Sequence, residues 1–220
     1  MNQIEKNTVK SDNQVKASTF SFNESGTGTK VLFVGNSITL HGILPDIGWH
    51  WQFGMAASAE ENDYVHLIMK KFTETDSNAV FKIAQVAKWE REYMNGNDYL
   101  ENYKDAREFN ADIIIMRFIE NCPHDNFDCE AFKREYIKLL EYFNPSGKAK
   151  VVMTTSFWKH KGDNTIMEIG EQLGYPVIYL GDLGEDDEMK AIGLFEHSGG
   201  ANHPGDKGMA VIAERIMEKL

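Results

Sequence analysis

Three residues far apart in the chain have the types that acyl transfer needs. They are a serine in Gly35-Asn36-Ser37, an asparagine in Arg117-Phe118-Ile119-Glu120-Asn121 and a histidine in Ala201-Asn202-His203-Pro204. A serine hydroxyl becomes a nucleophile when an imidazole takes its proton, and an amide N–H can hold the oxyanion that results. Ser37 comes directly after the apolar run Val31–Val34, and Gly35 permits a tight turn there. Its hydroxyl and its own N–H can therefore face the same reacting carbonyl. A Gly-Asn-Ser tripeptide is equally at home as a turn or helix cap, the ordinary use of these residues. Convergence with Asn121 and His203 is what would raise the chemical reading, so the elements that carry them matter.

Short runs rich in Val and Ile occur at Val31–Val34, Ala79–Ala84, Ile113–Met116, Val151–Met153 and Val177–Leu180. They are continuous rather than alternating, as in strands buried on both faces. Helix-period segments lie between them. Phe132, Tyr136, Leu139, Leu140 and Phe143 form one apolar stripe, and Met209, Ile212, Ala213, Ile216 and Leu220 form another. A helix is expected around Asp63–Phe72, and Pro204 and Asp206 suit the start of the last helix. This alternation predicts an α/β fold, a three-layer α/β/α sandwich with a five-stranded parallel sheet of flavodoxin-like type. Ligands of such sheets bind at the carboxyl ends of the strands. Ser37 and Asn121 both follow strands, and His203 opens the last helix, so nucleophile, amide and base meet at one edge. Residues 1–29 are polar, with Phe20 and Phe22 as apolar anchors, and are expected to form a lead-in to a single domain over residues 30–220.

The order and positions of these residues resemble the SGNH (GDSL-like) hydrolase family of serine esterases. Gly35-Asn36-Ser37-Ile38-Thr39 matches the family's first block, Gly-Asp-Ser-x-Thr, with Asn for Asp. The third block, Gly-x-Asn-Asp, is answered by Ile119-Glu120-Asn121-Cys122, which keeps only the asparagine. The fifth, Asp-x-x-His, is answered by Gly200-Ala201-Asn202-His203, with glycine where the acid belongs. The resemblance implies Ser37 as nucleophile and His203 as base. It also implies an oxyanion hole made of the Ser37 N–H, a glycine N–H whose counterpart is Gly54, and the Asn121 amide. Without an acid at position 200, a backbone carbonyl is expected to orient His203 in a Ser–His dyad, with Glu196 and Asp206 as the alternatives. Small acyl esters, acetyl esters of carbohydrates in particular, are the implied substrates. The other reading is a catalytically impaired domain on the same scaffold that binds a carbohydrate or another small ligand.

Further residues invite consideration. The aromatic segment Ile47-Gly48-Trp49-His50-Trp51-Gln52-Phe53 follows the nucleophile. Trp49 is the expected ligand contact, with Trp158 second, although a tryptophan is more often core. Cys122, His124, Asp128 and Cys129 could bind zinc as residue types, but their spacing is not that of a zinc site, and no metal is expected. Arg117 at a strand end is expected to pair with Glu120 or to meet an anionic substrate group. His197 is a rival base; His41, His50, His66, His124 and His160 have no spacing that singles them out.

Composition bounds the rest. With 42% hydrophobic and 11% aromatic residues the chain can build a core. Its net charge of −11 repels phosphate backbones and anionic lipid, so neither a nucleic-acid nor a membrane partner is expected. A flavodoxin-like phosphate binder is disfavoured, because no glycine-rich phosphate loop follows the first strand. Two cysteines make no disulfide framework, and the first ten residues lack an apolar signal core, so a cytoplasmic, cofactor-free protein is expected.

Overall fold

In the computed structural model of the protein, which describes residues 19–95 and 97–220, six strands form one sheet. These are β1 (Thr19–Phe22), β2 (Lys30–Gly35), β3 (Val80–Gln85), β4 (Ile113–Arg117), β5 (Lys150–Thr154) and β6 (Val177–Ile178), in the order β1-β3-β2-β4-β5-β6. The last five are parallel neighbours, whereas β1 runs antiparallel to β3 with Thr19 opposite Ala84 and Phe22 opposite Phe81. The sheet thus has one strand more than the expected five. Thr19-Phe-Ser-Phe22 alternates polar and apolar residues because only one face of an edge strand needs covering. Residues 1–18 of the expected lead-in lie outside the described residues.

Seven α-helices flank the sheet among the described residues. They are α1 (Tyr64–Thr75), α2 (Ala87–Glu92), α3 (Lys104–Glu108), α4 (Cys129–Phe143), α5 (Asp163–Leu173), α6 (Ser198–Ala201) and α7 (Asp206–Met217). Successive residues of β2 feed opposite cores. Val31 and Phe33 pack with Tyr64, Ile68, Met209 and Ile212 of α1 and α7. Leu32 and Val34 pack with Phe132, Tyr136, Ile166 and Ile169 of α4 and α5. That two-residue alternation, with every position from Val31 to Val34 fully buried, explains the unbroken apolar run. The layers are α/β/α, as expected. Pro204 lies just before the Gly205 cap of α7 rather than in its first turn, so α7 begins with Asp206.

From β2 the chain moves to β3 on one side and then crosses to β4 on the other. Such a reversal opens a crevice at the carboxyl ends of the strands. The segments after β2, β3, β4 and β5 all deliver residues to it.

Candidate active site

Beyond Gly35 the backbone makes a single helical turn, with the N–H groups of Thr39 and Leu40 donating to the Asn36 carbonyl. A side chain at position 35 has no room, since a Cβ there would stand 1.7 Å from Thr39 Oγ1. The turn lifts Ser37 above the sheet, and its Oγ lies 3.0 Å from His203 Nε2. His203 is buried, with its Nδ1 2.6 Å from the Gly199 carbonyl. A carbonyl can only accept, so Nδ1 carries the proton and Nε2 presents a lone pair to the Ser37 hydroxyl. Neither carboxylate alternative reaches the ring. Asp206 accepts from the Ser58 N–H at 2.7 Å and from Asn62 Nδ2 at 3.1 Å, tying the segment before α1 to the start of α7. Glu196 is exposed and lines a separate groove with Pro45–Gly48 and Leu194. At position 200 any side chain would crowd its neighbour, because a Cβ on Gly200 would sit 3.0 Å from the Phe195 ring.

Burial is the main influence on the His203 ring and lowers its pKa to about 4, helped by the charges of His41 and Arg117 and opposed by the Gly199 carbonyl and Glu120. A neutral imidazole at pH 7 is the form a general base requires.

Asn121 stands at the end of the segment after β4, gripped at both ends of its amide. Its Nδ2 donates to Glu90 Oε2 at 2.6 Å, and its Oδ1 accepts from Arg91 Nη2 at 2.7 Å. An amide nitrogen has two hydrogens, so one N–H of Asn121 keeps no protein acceptor among the described residues, and the residue lines the same cavity as Ser37. The Ser37 N–H likewise has no protein acceptor among the described residues.

Beneath them lies a buried polar network. Asn36 Nδ2 donates to Glu90 Oε1 at 2.9 Å and to Glu120 Oε2 at 2.6 Å, while its Oδ1 accepts from Arg117 Nη1 at 2.9 Å. Arg117, fully buried, also pairs with Glu120, which accepts from the Phe157 N–H at 2.8 Å. Burial pushes the Glu120 carboxyl up, but the Arg117 charge and these hydrogen bonds more than offset it and hold it below the usual range. Burial and the nearby Glu120 push Glu90 up to about 7. Arg117 is therefore spent on structure rather than on substrate.

Glu90 also accepts the backbone N–H of Ile119 at 2.6 Å. Ile119 has φ +149°, a conformation that costs a β-branched residue of order 1–3 kcal/mol. It occupies the position at which the pattern described above has glycine.

Two expected site residues are placed elsewhere. The Gly54 N–H donates to the buried Asp63 carboxylate at 2.8 Å, so it is not an oxyanion donor. Trp49 is fully buried, its ring 5.0 Å from Phe53 and 5.3 Å from Trp51, and belongs to the core. Aromatic clustering in sequence signals core more often than ligand, and here it does. Trp158 instead lines the cavity. Its Nε1 donates to the Asn202 carbonyl at 3.1 Å, and its ring meets His203 edge-on at 5.0 Å.

The cavity holds about 260 Å³ and is bounded by Ser37, His41, Asn121, Trp158, Asn202 and His203 among others. His41 is buried, with Nδ1 2.6 Å from the Gly42 carbonyl, and its Nε2 has no protein partner among the described residues. His197 caps α6 by accepting from the Gly199 N–H, which removes it as a base for Ser37. Cys122 is buried and Cys129 exposed, and no group of three or more metal-ligating side chains assembles among the described residues. Nor is any described helix long and apolar enough to cross a membrane.

Glu90, Arg91 and His41 were not legible as site residues. Glu90 and Arg91 sit in Ala87-Lys-Trp-Glu-Arg-Glu92, whose charges read as a solvated helix face. His41 followed the Ser37 turn by only four residues, and that proximity was the one available signal.

No protein-family model matches the chain, and no curated protein is similar to it in sequence. Solved structures do share its fold. A two-domain esterase active on acetylated mannans superposes with a TM-score of 0.54 at 15% identity, over 89% of this chain and 50% of that one. An acetyl xylan esterase gives 0.54 at 17% identity, over 86% and 98%. A protein assigned to the lipolytic G-D-S-L family, from Desulfitobacterium hafniense DCB-2, gives 0.50 at 15% identity, over 88% and 100%. The chain spans about half the length of the mannan esterase and has the three-layer fold of these hydrolases.

Proposed function

We propose that the protein is a serine esterase of the SGNH type that removes small acyl groups, acetyl above all, from carbohydrate. The observation that carries this reading is the 3.0 Å approach of Ser37 Oγ to His203 Nε2, with the other ring nitrogen held by a carbonyl. His203 takes the Ser37 proton as Oγ attacks the ester carbonyl carbon. The resulting oxyanion is held by the Ser37 N–H and by the free N–H of Asn121. Collapse breaks the bond to the leaving oxygen, His203 returns the proton to it, and the alcohol departs. Water then attacks the acyl-enzyme, giving one proton to His203, which passes it to Ser37 Oγ as that bond breaks and the carboxylic acid is released.

A dyad with two oxyanion donors, rather than three, is sufficient in kind. Each donor contributes about 10²–10³-fold in turnover where this has been measured in other serine hydrolases. The cavity of about 260 Å³ suits a short acyl group better than a long chain. Polar groups in its lining, His41 Nε2 and Asn202, suit the hydroxyls of a sugar, and the Trp158 ring offers it an apolar face. The acetylated mannans and xylan of the structural neighbours support the same substrate class.

The test is p-nitrophenyl acetate hydrolysis beside Ser37→Ala, with mass spectrometry after fluorophosphonate treatment. Wild type should turn over and carry one adduct on Ser37, and Ser37→Ala should lose about 10⁴-fold or more while staying folded. Equal rates in the two proteins would sink the assignment. An unlabelled, inactive wild type that binds acetylated oligosaccharide would favour a binding domain instead.

A further inference from the structure

The mechanism above uses Asn121 but not the two charged residues that grip it. A free asparagine amide can rotate by half a turn about its terminal torsion, exchanging a donor for an acceptor at little cost. In an oxyanion hole that rotation would replace an N–H by a carbonyl oxygen and repel the transition state. Here the carboxylate of Glu90 can only accept and the guanidinium of Arg91 can only donate. The first lies 2.6 Å from Nδ2 and the second 2.7 Å from Oδ1. Rotation would set N–H against N–H at one end and oxygen against oxygen at the other. Adjacent residues of opposite charge on one short helix thus define which end of the amide is which.

Glu90 is tied to the same segment through its backbone. Its Oε1 accepts from the N–H groups of Ile119 at 2.6 Å and Asn121 at 3.3 Å, and from Asn36 Nδ2 at 2.9 Å. It is fully buried, so these contacts are not shared with solvent. Ile119 adopts a backbone conformation that its side chain disfavours, and something must hold it there. A charge-assisted bond from its N–H to a buried carboxylate is such a restraint.

We infer that Glu90 and Arg91 are positioning residues that clamp the Asn121 amide with its free N–H in the oxyanion hole, Glu90 also holding the strained Ile119 segment that carries it. The inference rests on the esterase reading and deepens it. Arg91 also lines the cavity, but the contact that each residue brings to the clamp is with Asn121, and both act through it.

The experiment is a double-mutant cycle on the full chain with p-nitrophenyl acetate: wild type, Glu90→Gln, Asn121→Ala and the combination. The rate of fluorophosphonate labelling of Ser37 is the second readout. Glutamine places an NH₂ where an acceptor is needed, so Glu90→Gln should lower kcat and labelling about 100-fold, the scale of one oxyanion donor, with little change in KM. Added to Asn121→Ala, it should cost almost nothing more, because the group it positions is already gone. Independent, multiplicative losses would overturn the clamp, and so would a Glu90→Gln enzyme as fast as wild type. Should Glu90→Gln fail to fold, Arg91→Met runs the same cycle with the same two decisive outcomes. A wild type with neither Ser37-dependent turnover nor an adduct would instead bring down the esterase reading and the clamp with it.

Discussion

Burial of His203 decides the pH range in which Ser37 can be activated. A ring whose pKa is lowered from 6.5 to about 4 stays neutral through mild acid. Protonation removes the base, so kcat/KM should keep its His203 limb near pH 4 instead of near 6.5. Glu90 gives a second signature of the same sense at higher pH. It is pushed up to about 7 and faces Glu120, Asn36, Asn121 and the thiol of Cys122 across the buried network. Ionised, it accepts from Asn121; protonated, it places a hydrogen among donors. Turnover should therefore rise as pH passes upward through about 7, and this step should vanish in Glu90→Gln. A profile with a single limb at 6.5 in both proteins would refute both assignments. Ser37, Asn121 and His203 could be singled out in the sequence as candidates because their types are scarce and each follows or opens a regular element. Glu90 could not, because a buried carboxylate and a solvated one are the same letter, and its burial arises only where α2 meets the segments after β2 and β4.

At the scale of elements, the segment after β4 exchanges backbone comfort for side-chain burial. Ile119 is fully buried, its Cδ1 lying where a Cβ on Gly162 would come within 2.5 Å. Removing the side chain forfeits that packing whether alanine or glycine replaces it, but only glycine also relieves the positive φ. Glycine ordinarily costs about 0.5–1 kcal/mol more than alanine in ordered structure. Here the order should reverse, with Ile119→Gly less destabilised than Ile119→Ala in chemical denaturation by about 1 kcal/mol or more. The ordinary order would mean that the backbone is not strained. Position 119 is also where family resemblance and sequence part, and the φ value explains why a glycine suits that place. The same scale accounts for Gly54. Its N–H is taken by Asp63, the residue whose Oδ1 also caps α1 through the His66 N–H at 2.8 Å, and a lone glycine in sequence carries no sign of such a commitment.

For the whole molecule, the five parallel strands and the layer order were legible because buried strands leave unbroken Val/Ile runs. The antiparallel edge was not, since Thr19–Phe22 is four residues long and pairs on one side only. Phe20 and Phe22 are half-buried against the core that includes Phe81 and Ile83. Exchanging both for serine should cost about 2 kcal/mol in lost apolar burial, a fall of several degrees in Tm. Ser37 labelling should persist, because β3 stands between β1 and β2. An unchanged Tm would show that the edge strand adds nothing to the sheet.

The edge-on contact between Trp158 and His203 makes the protein its own optical reporter. An imidazolium 5.0 Å from an indole ring quenches its fluorescence, whereas a neutral imidazole does so far less. Emission followed from pH 7 down to pH 3, with Trp158→Phe to subtract the other tryptophans, would titrate His203 without any substrate present. A dimming centred near pH 4 would read out the buried ring directly. The same signal, watched at constant pH, would register any acyl group that comes to occupy the cavity lined by the two rings and Ser37.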